Sequence, residues 1–190
     1  MPLTKENPHY TYADFLEWDE GERYEIIDGE AYLMAAPSRI HQEISMALST
    51  MLYNYLEGKP CKVYAAPFSV RLFPAEDKSD NTIVEPDITV VCDPSKLDDR
   101  GCSGAPDFII EITSPATARY DRIVKFDKYR EAGVLEYWIA DPKEKIVSAY
   151  LLKNGEYTAV NYDDTGAAPV RVLPGCEIDL KTIFAGPEGI

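Results

Sequence analysis

Apolar positions along the chain switch between two spacings, and the switches mark the elements. Residues 12–19 (YADFLEWD) read as a short helix, with Thr11 as its cap and Asp14 favouring the first turn. Two apolar runs follow on either side of Asp28-Gly29, in RYEIIDGEAYLMAAP. Asp-Gly accepts the positive φ angles of a tight turn, so this stretch predicts strands at 23–28 and 30–36. Ile40, Ile44, Ala47, Leu48, Met51, Leu52 and Tyr55 then recur at steps of three and four. That spacing predicts one buried helical face over 39–57, capped by Ser38 and ended by Gly58 and Pro60. CKVYAAPFSVRLF predicts one or two strands broken near Pro67, and PAEDKSDNT a polar loop.

The second half has shorter apolar runs. IVEPDITVVC predicts a strand from 83 to 92, DPSKLDDRGCSGA a loop, and PDFIIEITS a buried strand at 107–113. A charged helical pattern covers 117–132, and Gly133 suits its C-terminal position. LEYWIAD predicts another strand. Residues 145–152 and 156–161 form a hairpin across Asn154-Gly155, and the tail holds a short strand at 170–173 and a helical turn at 179–184. No repeat or linker interrupts this order. The expectation is a single domain over 1–190 of α+β (mixed α/β) class, built on a curved mixed sheet flanked by helices, with extra β-hairpins.

Two acids break the apolar pattern. Along 107–113 side chains alternate, so Phe108, Ile110 and Ile112 share one face and Ile109, Glu111 and Thr113 the other. An ionised Glu among such neighbours is costly unless it is paired or bound to metal. Asp87 opens the preceding apolar run and shares a face with Thr89 and Val91. If the two strands are neighbours, Asp87 and Glu111 converge. Two carboxylates suit Mg²⁺ or Mn²⁺, which prefer hard oxygen ligands and promote attack of water on a phosphoryl group. Lys125 is the cation that can assist. Asp121, Lys125 and Lys128 fall on one helical stripe that could line a groove, with Asp121 and Lys125 an i,i+4 pair, while Ile123 and Phe126 pack inward.

Composition narrows the alternatives. The 190 residues carry a formal net charge of -14. That weighs against strong non-specific DNA binding, which usually needs a basic patch. Four cysteines (Cys61, Cys92, Cys102, Cys176) without a C-x-x-C pair, and only two histidines, argue against zinc. The amino terminus lacks the apolar core of a signal peptide, and no apolar run is long enough to span a bilayer. A cytoplasmic protein with reduced thiols and no membrane partner is the expectation.

Read together, YEIIDGE, APSRIHQEI, VEPDITVV, PDFIIEITSPAT, YDRIVKFDKYREAGVLEYWIADP and VLPGCEIDL resemble the Uma-type restriction endonuclease family, long catalogued as a domain of unknown function. The family is placed in the PD-(D/E)XK nuclease superfamily, and the resemblance covers nearly the whole chain. It implies Asp87 as the first acid of the superfamily motif and Glu111 as the second. The motif's lysine position holds Thr113, and the resemblance is to branches whose lysine has migrated to the following helix, which maps it to Lys125. It further implies that a His or acid on the long helix, His41 or Glu43, can reach the metal; Glu25 on the first strand is a further candidate. The implied activity is Mg²⁺- or Mn²⁺-dependent hydrolysis of DNA phosphodiesters, with a homodimer supplying two active sites. The alternative is a catalytically inactive nuclease fold that binds a protein or nucleic-acid partner. Tyr137 and Trp138 are expected to pack rather than stack on bases.

Overall fold

The computed structural model describes residues 9–18, 22–114 and 120–185. A short helix α1 (Tyr12–Phe15) leads to strands β1 (Tyr24–Ile27) and β2 (Glu30–Leu33). Asp28 and Gly29 take φ of 51° and 83°, the left-handed pair that the tight turn requires. Helix α2 (Arg39–Leu56) buries Ile44, Leu48, Leu52 and Leu56. The Ser38 side chain accepts from the His41 amide at its start. Ile40, expected on that buried face, is exposed.

Strands β3 (Lys62–Ala65) and β4 (Ser69–Arg71) flank Pro67 as expected. The single strand expected over 83–92 is in fact two, β5 (Ile83–Val84) and β6 (Ile88–Val91). They lie in different sheets. Pro86 has no N–H to continue a ladder, so Glu85-Pro86-Asp87 becomes the crossing between sheets. The expected loop after Cys92 also contains strands β7 (Leu97–Asp98) and β8 (Gly101–Ser103). Pairing of β8 with β4 depends on Gly101: a Cβ there would sit 2.0 Å from the Ser69 carbonyl oxygen. That dependence is invisible in a turn-rich sequence.

Strand β9 (Phe108–Ile112) is followed by a π turn over Asp121–Lys125 and helix α3 (Phe126–Ala132). The expected start of this helix near Thr117 lies outside the described residues. Strands β10 (Glu136–Asp141), β11 (Ile146–Lys153) and β12 (Glu156–Asp163) complete the sheet. Strands β13 (Ala167–Val170) and β14 (Cys176–Asp179) form a small ribbon, and α4 (Leu180–Phe184) closes the described fold.

The strand order of the first sheet is β2-β1-β5-β4-β8-β7, and that of the second is β12-β11-β10-β9-β6-β3. The second sheet is mixed, with β9 and β10 parallel and β6 and β9 antiparallel. Its two faces belong to different cores. Ile88, Val90, Phe108, Ile110 and Trp138 pack with α2, the ribbon and α4. Val91, Ile109, Tyr137 and Ile139 pack with Ile27, Val70, Leu72 and Val84 of the first sheet and with Tyr129 of α3. The fold is α+β, with a mixed sheet and few helices.

The expectation of reduced thiols is corrected at one place. The β3–β6 register, Lys62 opposite Val91, brings Cys61 and Cys92 together one pair further on, and the structure joins them in a disulfide. Cys102 and Cys176 are buried free thiols, and burial raises each pKa to about 11. Unreduced protein unfolded in guanidinium therefore titrates two thiols per chain with a chromogenic disulfide reagent; four would show that Cys61 and Cys92 are not joined.

Candidate active site

The helical stripe expected to line a groove instead faces the interior. The expectation placed Ile123 in the core and left the stripe of Asp121 and Lys125 on a groove. The structure reverses both: Ile123 is 52% exposed, while Asp121 and Lys125 are 3% and 4% exposed. Phe126 does pack as expected, edge-on to Tyr150 and Tyr157. Asp121 adds to the negative charge around Lys125, and two acids on other elements reach the ammonium directly. The Lys125 Nζ lies 2.7 Å from Glu25 Oε1 on β1 and 2.9 Å from Glu111 Oε1 on β9.

Each of those acids is positioned by its strand. Along β1, Tyr24 and Ile26 alternate with Glu25 and Ile27, and Ile27 belongs to the core between the sheets. Glu25 therefore points at the same interior. The Glu85 amide donates to Glu25 Oε1 at 2.8 Å and fixes that carboxylate in place. Glu85 in turn receives the guanidinium of Arg23, Nε at 2.8 Å. On β9, Glu111 follows Ile109 on the same core-facing side, and the Tyr129 hydroxyl donates to its Oε1 at 2.7 Å.

Asp87 stands where the chain crosses between sheets. The β6–β9 register pairs Ile88 with Ile110. One step further along the same register sets Asp87 opposite Glu111, and opposed antiparallel residues project to one face. The Asp87 Oδ2 accepts from the Ile112 amide at 2.7 Å and lies 3.0 Å from His41 Nε2. His41 comes from the first turn of α2, with its Nε2 toward Asp87, and its Nδ1 is buried with no hydrogen-bond partner among the described residues. Solvent reaches the site from this side: the Asp87 and His41 side chains are 17% and 16% exposed, against 4–5% for Lys125, Glu25 and Glu111.

Asp87, Glu111, Lys125, His41 and Glu25 thus come together, and Glu43 does not. Glu43 sits on the outer side of α2, 47% exposed, paired with Arg39 one turn earlier. Thr113 ties β9 to β10 through its amide and the Ala140 carbonyl, 2.9 Å apart. Tyr137 and Trp138 are fully buried, as expected for packing residues. Tyr129 was not singled out from sequence, although it lies four residues beyond Lys125 and so shares its stripe. Glu85 was missed too; its signal was its place beside Pro86 and Asp87 at a strand break.

The electrostatics follow from burial. Burial pushes the Glu111 carboxyl well above the usual carboxylate range; Lys125 opposes this, and Asp87, Asp121 and Glu25 add to it. For Lys125, burial alone would lower the pKa, but Glu111, Glu25 and Asp121 outweigh it and hold the ammonium well above its ordinary value. The two directions have different causes: burial dominates at Glu111, whereas at Lys125 the neighbouring carboxylates outweigh it.

No cluster of three or more His, Cys, Asp or Glu arranged for a metal occurs among the described residues. The donor chemistry nevertheless fits a hard divalent ion. The hydrogen bonds and ion pairs of both acids fall on Asp87 Oδ2 and Glu111 Oε1, which leaves Asp87 Oδ1 and Glu111 Oε2 without a partner among the described residues.

A family profile described as "Putative restriction endonuclease" (Uma2) matches residues 12–181. The chain belongs to the Uma2 family. Among solved structures, the chain is similar to a crystal structure titled as a putative nuclease belonging to DUF820 from Anabaena variabilis. The TM-score is 0.74 at 19% identity, over 92% of this chain and 97% of the other, and the likeness is one of fold. Two uncharacterized proteins of Synechocystis sp. are also similar to Uma2-family residues of this chain. The protein slr1290 is 26% identical over 94% of this chain and 93% of its own length. The protein sll1609 is 29% identical over 69% of this chain and 74% of its own. No described helix is long and apolar enough to cross a membrane.

Proposed function

We propose that this Uma2 chain is a divalent-metal-dependent endonuclease that hydrolyses DNA phosphodiester bonds. The observation that carries this reading is the pair Asp87 and Glu111, set opposite each other where the β6–β9 register is continued by one step, each with one carboxylate oxygen without a partner among the described residues. Mg²⁺ or Mn²⁺ would be held by those two carboxylates. When bound, the ion supplies Lewis acidity and charge neutralisation toward a phosphodiester.

The chain's own residues do the rest. His41 and the Ile112 amide hold Asp87 Oδ2 and so aim Oδ1. Tyr129 fixes Glu111 Oε1 from the other side. Lys125, protonated throughout the physiological range, is a fixed positive charge beside the carboxylates that can steady the developing charge of a pentavalent phosphoryl group. Its raised pKa argues for that role over general base. A phosphodiester would approach from the Asp87–His41 side, the more exposed one. A homodimer would set two such sites against a duplex.

Supercoiled plasmid and single-stranded DNA incubated with Mg²⁺ or Mn²⁺, against an EDTA control, test the reading. Nicking or cutting that needs the metal is expected. Because the Glu111 carboxyl holds its proton to higher pH than an ordinary carboxyl, protons compete with the ion. Mn²⁺ affinity should rise with pH through that titration, and calorimetry in buffers of different ionisation enthalpy should show protons released on binding. Metal binding with no proton release and no cleavage of either DNA would remove the proposal and leave a binding module of nuclease fold.

A further inference from the structure

We propose that Lys125 is a resident counter-cation on Glu111, that a divalent ion displaces it, and that Glu25 is the positioning residue that retains the ammonium afterwards. The inference rests on the metal-nuclease reading above and extends it to how the site is kept ready. Lys125 Nζ stands in a fork, 2.7 Å from Glu25 Oε1 and 2.9 Å from Glu111 Oε1. The two arms differ in what else they can hold. Glu111 is opposed to Asp87 one step beyond the β6–β9 pairs, and both have an oxygen without a partner among the described residues. Glu25 is on the first sheet, anchored by the Glu85 amide, and has no such opposing acid in its register, its β2 partner being Tyr32. A divalent ion is therefore drawn to the Glu111 arm. An ammonium 2.9 Å from the other oxygen of the same carboxylate would be repelled by it. The nearer, independently fixed Glu25 is where Lys125 goes.

The fork also explains why a glutamate is needed on β1 at all. Without Glu25 the ammonium would have one partner, and displacing it would strand a buried charge. With Glu25 present, displacement is an exchange of partners within one side-chain fork. The lysine stays beside the site, available to a phosphoryl group, instead of leaving it.

The test is Mn²⁺ calorimetry at one pH on wild type, Lys125→Met, Glu25→Gln and the double variant. Lys125→Met removes the competitor, so Mn²⁺ should bind at least about tenfold tighter than to wild type. Glu25→Gln leaves Lys125 to Glu111 alone, so Mn²⁺ should bind several-fold weaker. In the Lys125→Met background Glu25→Gln should change nothing. Equal weakening by Glu25→Gln in both backgrounds would make Glu25 a metal ligand and overturn the proposal, as would unchanged or weaker binding by Lys125→Met. If neither wild type nor Lys125→Met binds Mn²⁺ at millimolar concentration, the metal-nuclease reading falls and this inference with it; if wild type binds and Lys125→Met does not tighten, the inference alone falls. Should Lys125→Met fail to fold, a crystal structure of wild type with Mn²⁺ decides: Nζ on Glu25 and off Glu111 supports the exchange, and Nζ still on both refutes it.

Discussion

Glu111→Gln is expected to abolish divalent-metal binding and to lower metal-dependent nicking by about 10³-fold or more, while the chain keeps its fold and its stability to within about 1 kcal/mol. The two halves of this result have separate causes. Gln offers one carbonyl oxygen and no charge, so the Asp87–Glu111 pair no longer presents two carboxylates to a hard cation. The fold survives because Gln has the same shape and its carbonyl can still accept from the Tyr129 hydroxyl. Lys125 keeps Glu25 as its counter-charge. The carboxylate being removed is one that burial disfavours, which offsets the attraction to Lys125 that is lost with its charge. Calorimetry, plasmid nicking and a thermal melt read the three quantities. A variant that nicks at the wild-type rate would remove Glu111 from the chemistry.

Lys125→Met has the opposite profile and costs the fold. It leaves the Glu25 and Glu111 carboxylates, both nearly inaccessible, without their shared cation. Breaking a buried ion pair by removing one partner costs about 3–5 kcal/mol. In a chain of this size that is a fall of roughly 10 °C in melting temperature, measured in EDTA. The sign with pH is definite. Lys125 has a folded pKa above its ordinary one, so its contribution is complete below about pH 10 and is lost as pH rises through the folded value. Wild type should therefore lose more stability than Lys125→Met on going from pH 9 to strongly alkaline solution. A melting temperature within 2–3 °C of wild type, about 1 kcal/mol, would show that the cluster does not need its ammonium.

Much of this was legible in the sequence because local rules act without competition. Asp28-Gly29 and Asn154-Gly155 adopt the left-handed turns their residues favour. The face of α2 that packs is the one spelled by Ile44, Leu48 and Leu52. Asp87 and Glu111 were readable as a pair because strand alternation puts both on the interior face. What failed was set by tertiary context. Pro86 turned one apolar run into two strands in two sheets, and only pairing partners can reveal that. Over 117–132 the stripe of Asp121 and Lys125 faces the interior and Ile123 the solvent, because buried acids on other elements receive the ammonium, which the helical pattern alone does not encode. The disulfide depended on the β3–β6 register, which spacing between Cys61 and Cys92 does not encode. Tyr129 looked like any core tyrosine until Glu111 was found at its hydroxyl.

The crossing at Glu85-Pro86-Asp87 has an architectural effect. Glu25 and the Glu85 amide belong with the first sheet, Asp87 and Glu111 with the second, and Lys125 reaches both. The charged groups of the candidate site are thus sutured across a seam instead of being mounted on one slab. A slip between the two layers of a few tenths of an ångström would leave each sheet's ladder intact yet pull the charged groups out of register. In such an arrangement chemical competence is a more sensitive gauge of how the layers are seated than any measure of secondary structure.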